Sequence, residues 1–68
     1  MKKYFHDVFP LLLAGKKIRR KGWDGFWTWE NDTITIHHGE TVFDIRQTDD
    51  PKFTFGNIAA DDWEIVDD

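Results

Sequence analysis

Three short runs of alternating apolar and polar residues, joined by short turn-forming gaps, restrict this chain more than any other feature. Residues 26–30 read FWTWE, residues 33–37 read TITIH and residues 41–47 read TVFDIRQ. Along an extended chain successive side chains point to opposite faces, so Trp27 and Trp29 share a face, as do Ile34 and Ile36, and Phe43 and Ile45. Asn31-Asp32 and His38-Gly39 lie between the runs and are turn-forming pairs. The pattern predicts a three-stranded antiparallel meander with one apolar face.

That face needs a cover. Phe5, Val8, Phe9, Leu12 and Leu13 recur at helical spacing within residues 4–14, which predicts an amphipathic helix ending at Gly15. Pro10 disturbs a helix begun at Tyr4, so the reading places Asp7 as N-cap, the regular helix at 8–14 and residues 4–7 as an irregular lead-in. Lys16 and Lys17 suit the negative end of the helix dipole. Residues 17–20 form a short strand with Ile18 and Arg20 on one face, and Gly22-Trp23-Asp24-Gly25 a loop. Asp49-Asp50-Pro51 is a break, 52–55 a short strand, 57–60 one helical turn and 63–66 a closing strand, with Asp67-Asp68 frayed. The expected fold is α+β, one N-terminal amphipathic helix packed on a small antiparallel sheet, forming a single domain over residues 1–68.

The chain has no cysteine, so no disulfide, thiolate metal site or cysteine nucleophile is available. A domain of this size is marginally stable. Eleven aromatic residues in 68 are more than one thin core needs, which predicts a homo-oligomer. No apolar run is long enough to span a bilayer, and the one after Met1-Lys2-Lys3 is short and contains Pro10, so neither a membrane nor a signal peptide is expected. The expected location is intracellular.

Charge is uneven. Residues 1–23 carry seven cations against Asp7 alone, a net of +6, whereas residues 24–68 carry Lys52 and Arg46 against twelve acids, a net of −10. The overall charge of −4 argues against a general DNA or RNA binder but allows a local basic pocket for a small anion. The KKIRRK segment also reads as a solvated edge.

Candidate site residues follow from chemistry. Trp23, flanked by glycines and next to a basic strand, can stack on a planar ligand. Arg20 forks readily onto phosphate oxygens, and a carboxylate such as Asp62 accepts from a ribose hydroxyl or a base amine. The same Arg and Asp equally suit an internal ion pair fixing the last strand. Trp63 fits either a pocket wall or the core. His37 and His38 point to opposite faces of a strand and cannot easily share a metal ion, which leaves them as turn residues. There is no serine, and no glycine-rich phosphate loop matches a known spacing. No enzyme and no cofactor are expected.

Three segments, taken in order, carry a resemblance. Phe5…Leu12…Gly15-Lys16-Lys17-Ile18-Arg19-Arg20 is followed by Gly22-Trp23-Asp24-Gly25 and, near the end, by Ile58-Ala59-Ala60-Asp61-Asp62-Trp63-Glu64-Ile65-Val66. Together they resemble the phage and prophage family that contains the second Thoeris anti-defence protein. Asp24 stands where that family usually has Asn, and Phe53-Thr54-Phe55-Gly56 replaces its Pro-Trp turn. The resemblance implies a non-catalytic sponge in the bacterial host cytoplasm. It would sequester a cyclic ADP-ribose isomer or a cyclic dinucleotide immune signal, act as a homo-oligomer, and hold its ligand near subunit contacts. Arg20, Trp23, Asp24, Asp62 and Trp63 match the family's motif positions and are the implied ligand-binding residues. The alternative reading is an acidic, anti-CRISPR-like protein–protein inhibitor of a bacterial defence nuclease, presenting the carboxylates of residues 24–68 where phosphates would lie.

Overall fold

In the computed structural model, which describes residues 2–66, the alternating runs pair as a meander, residues 17–20 add a strand beside it, and the last strand closes onto residues 17–20. The elements in order are α1 (Phe5–Leu13), β1 (Lys17–Arg20), β2 (Phe26–Glu30), β3 (Thr33–His38), β4 (Thr41–Asp44), a 3₁₀ turn (Ile45–Gln47), α2 (Pro51–Ile58) and β5 (Trp63–Val66). The single sheet has the order β4-β3-β2-β1-β5, antiparallel throughout. The fold is therefore α+β, as expected, with a second helix added. The frayed end expected at Asp67-Asp68 concerns residues outside those described.

The strand registers bring one apolar row across the sheet: Ile65 opposite Ile18, Ile18 opposite Trp27, Trp27 opposite Ile36 and Ile36 opposite Phe43. The covering helix α1 lowers Val8 and Leu12 onto this face, and both are buried with Ile18, Trp27, Ile34, Ile36 and Trp63. Burying an aliphatic side chain of this size stabilises by about 1.5–3 kcal/mol. Phe5 stands edge-on to Trp27 and Trp63, with ring centroids 6.2 and 5.5 Å apart, and Phe9 edge-on to Trp29 at 6.0 Å. These are the favoured aromatic geometries.

Several sequence expectations are corrected. The first helix starts at Phe5, not at residue 8, and Asp7 is not its N-cap. Asp7 sits in the first turn and accepts from the Tyr4 N–H at 2.8 Å, satisfying one of the free donors there. Pro10 lies inside the helix and removes one backbone bond, but it faces solvent, and burial of the opposite stripe outweighs the loss. Leu13 is not part of that stripe: it is 48% exposed. The helix ends as predicted at Gly15, whose φ of +103° and hydrogen bond to the Leu12 carbonyl, with Lys16 bonding back to Leu11, form a glycine C-cap.

The third alternating run stops at Asp44. There the carboxylate accepts from the Arg46 N–H at 2.8 Å and turns the chain into the 3₁₀ segment. Both hairpin turns contain two residues. Asn31 and Asp32 each adopt positive φ (56° and 60°), and the second turn is Gly39-Glu40, not His38-Gly39. The largest correction is at residues 52–55, which are helical and not a strand. Asp50 accepts from the Lys52 and Phe53 N–H groups at 3.0 and 3.3 Å, and Pro51 occupies the first helical position. An N-cap followed by proline is a strong helix start, and it overrides the short FTF alternation.

Candidate functional site

The site begins at the loop between β1 and β2. Gly22 leaves the strand with φ +88°, a conformation other residues rarely adopt. The loop is anchored by three bonds: the Lys21 N–H to the Asp62 carbonyl (2.9 Å), the Trp23 N–H to the Arg20 carbonyl (3.1 Å), and an Arg19 guanidinium nitrogen to the Trp23 carbonyl (3.4 Å). The indole of Trp23 leans on Trp27 and Trp63, with centroids 5.8 and 5.5 Å away, and is half-buried. Gly25 closes the loop against β3, so tightly that any Cβ there would run into the His37 carbonyl.

Beside Trp23 lies a concave pocket of about 460 Å³. Its aromatic walls come from Trp23, Trp27, Phe43 and Phe53, and Asp24, His38 and Asn57 contribute polar groups. Phe53 and Asn57 stand four residues apart on α2, hence on one face of that helix. No lysine or arginine is among the described lining residues. Such a volume and lining suit a small organic ligand with a flat apolar part and a few polar groups.

The five residues expected to bind ligand divide into two groups. Trp23 and Asp24 line the pocket. Arg20, Asp62 and Trp63 stand behind its wall. The Arg20 guanidinium donates through Nε to Asp62 Oδ1 at 2.7 Å, through Nη2 to Oδ2 at 3.3 Å, and through Nη1 to Asn57 Oδ1 at 2.9 Å. This fork holds the Asp62 carboxyl below the usual carboxylate range. Of the two roles the sequence left open for Arg20, the observed contacts are those of the internal ion pair. Trp63 is 3% exposed, packed in the core, and its indole N–H donates to the Asn57 carbonyl at 2.9 Å.

His37 and His38 diverge as strand neighbours must. The His37 ring stacks on Phe26 at 4.6 Å on the sheet face opposite α1, where its Nε2 lies 3.1 Å from Thr28 Oγ1 and 3.2 Å from Glu30 Oε2. Hydrogen bonds from Thr28 and His37 hold the Glu30 carboxyl below its ordinary value. Among the described residues, no three His, Asp or Glu side chains converge on a point that could hold a metal ion. Among them too, no helix is long and apolar enough to cross a membrane.

Sequence reasoning missed Trp27, His38, Phe43, Phe53 and Asn57 as pocket residues. The signal for two of them was present: reading Asp50-Pro51 as a helix start places Phe53 and Asn57 on a common face. Comparison of the chain with protein-family models, with curated proteins and with solved structures finds no match. The fold and site define a small α+β domain with an aromatic-walled pocket at the end of its sheet.

Proposed function

We propose that the protein is a non-catalytic trap that holds a cyclic ADP-ribose-type or cyclic dinucleotide signal in the pocket beside Trp23, within the bacterial host cytoplasm, and so blocks an anti-phage defence. The observation that carries this reading is the half-buried Trp23 indole bordering an open aromatic pocket large enough for a base. The ring stacks on the ligand's base, and Asp24 accepts from its polar edge. The phosphates remain toward solvent, because no described cation lines the pocket. The resemblance of the Gly22–Gly25 and Asp61–Val66 segments supports the ligand class.

The trap acts as a homo-oligomer in this reading. Support comes from the apolar side chains left exposed on one copy, Phe55 at 69% and Val42 at 57%. Most of the aromatic surplus is absorbed within the protomer, since only Tyr4 and Phe55 among the aromatics are exposed.

Calorimetry with cyclic ADP-ribose isomers and cyclic dinucleotides tests the proposal. Micromolar or tighter binding is expected, with the ligand recovered chemically unchanged. Stacking contributes about 1–3 kcal/mol, so Trp23→Ala lowers affinity roughly 5- to 150-fold, measured in variant protein whose circular dichroism spectrum is that of the folded state, because the indole also packs on Trp27 and Trp63. Absence of binding across the panel would reject the proposal. The acidic-inhibitor alternative has less support, because four of the carboxylates it would draw on, Asp44, Asp61, Asp62 and Glu64, already face Arg46, Lys2, Arg20 and Arg19.

A further inference from the structure

The pocket has one wall that is attached differently from the others. Trp23, Trp27, Ile36 and Phe43 belong to the sheet or to the loop pinned on it, whereas Phe53 and Asn57 belong to α2. That helix is eight residues long and is capped by its own Asp50. Its outward side is open, with Phe55 69% exposed. Phe53 packs against the core near its start. Its last turn is held at Asn57, a buried polar residue (6% exposed) that meets the sheet through two hydrogen bonds. Arg20 Nη1 donates to its side-chain oxygen, and the Trp63 indole donates to its carbonyl. Arg20 is in turn clamped by both oxygens of Asp62. A fork that grips two acceptors on different segments fixes their relative position, which a lysine cannot reproduce.

We infer that Arg20 is a positioning residue of the pocket: through Asn57 it sets where α2 stands, and thereby where Phe53 and Asn57 face the ligand. This rests on the pocket being the binding site, but the latch itself can be tested without a ligand. Without the Asn57 acceptor, Arg20 Nη1 loses a partner, and of the two hydrogen bonds described from Asn57 to the sheet the one from the Trp63 indole remains. The wall then opens locally while the sheet persists.

The experiment is amide and indole hydrogen exchange by NMR on the wild type, Asn57→Leu, Asn57→Asp and Arg20→Lys, with cyclic ADP-ribose titrated into each. Asn57→Leu should speed exchange of the α2 amides and of the Trp63 indole N–H by about tenfold or more, leaving the β2 and β3 amides unchanged. Asn57→Asp keeps an acceptor for the guanidinium and should restore wild-type exchange. Cyclic ADP-ribose affinity should fall by about tenfold in Asn57→Leu, in parallel with the loosened wall. Should Asn57→Leu fail to fold, Arg20→Lys decides: acceleration confined to α2 and the Trp63 indole supports the latch, and uniform acceleration over the sheet overturns it. Wild-type exchange in Asn57→Leu also overturns it. If the wild type binds no cyclic ADP-ribose, the function proposed above is weakened, and the exchange results still decide the latch.

Discussion

Gly25 has no room for a side chain. It is buried where the loop crosses β3, and a Cβ would collide with the main-chain carbonyl of His37, which cannot swing aside as a flexible side chain would. Gly25→Ala should therefore destabilise the fold by about 1–3 kcal/mol, the usual cost of forcing an extra group into a packed site. Urea denaturation reads this directly, and a midpoint equal to wild type would contradict the packing described. The carboxylates make a second residue-level prediction. Arg46 holds Asp44, and Arg20 holds Asp62, below the usual carboxylate range, and Thr28 and His37 do so for Glu30. Each group takes a proton less readily in the folded state than in the unfolded chain, so the unfolded state binds more protons in acid. Their stabilisation is complete above the ordinary carboxylate range near pH 4 and is lost as pH falls through the lowered values. These groups are only partly covered, so solvent screening keeps each effect small. Thermal melts should show Tm declining below about pH 4, and the combined Asp44→Asn and Asp62→Asn variant should show a shallower decline. An equally steep decline in that variant would contradict the assignment.

At the scale of elements, α2 depends on a short local signal. Removing its cap with Asp50→Ala should cost about 1 kcal/mol and loosen the pocket wall that carries Phe53. Unchanged thermal stability and unchanged exchange in α2 would count against that role. The same element shows what was legible in the sequence and why. The β2 and β3 strands and the core side chains of α1 were readable, because period-2 and helical apolar spacing persisted over several residues at Trp27, Trp29, Ile34 and Ile36, and at Phe5, Val8, Phe9 and Leu12. The start of α1 was misread, because a proline penalty at Pro10 is local whereas burial of the stripe is shared by the whole helix. Residues 52–55 were misread because three alternating residues weigh less than the capping of Asp50 and Pro51. For the candidate pocket, Trp23 was legible from its glycine-flanked loop, whereas Asp24 was singled out only by the resemblance; both line the pocket. Whether Arg20 and Asp62 face a ligand or each other depends on strand register, with Arg20 paired to Trp63 across β1 and β5, and no local motif encodes that. Asn57 was hidden for the same reason, since its partners are 37 and six residues away.

Across the whole molecule, one side of the sheet carries α1, while the other carries Phe26, His37, Thr28 and Lys17, with the Lys17 ammonium 5.0 Å from the Phe26 ring centre. The pocket at the sheet end draws lining residues from both sides, Trp27 and Ile36 from one and Phe26 and His37 from the other. A chain this small gains from association, which would cover Phe55 and Val42. Sedimentation equilibrium should give a mass that is a multiple of 8.1 kDa, and Phe55→Ser should shift it toward the single chain. A monomer across the concentration range would contradict the oligomeric part of the proposal. In the proposed function the pocket beside Trp23 captures a cyclic nucleotide and leaves it intact. Native mass spectrometry after mixing with cyclic ADP-ribose isomers and cyclic dinucleotides tests it most directly, because it weighs assembly and cargo together. The expected spectrum shows an added mass equal to one unaltered ligand per pocket, with lower occupancy in Trp23→Ala. An unladen spectrum with every member of the panel, or a cleaved ligand, would contradict it.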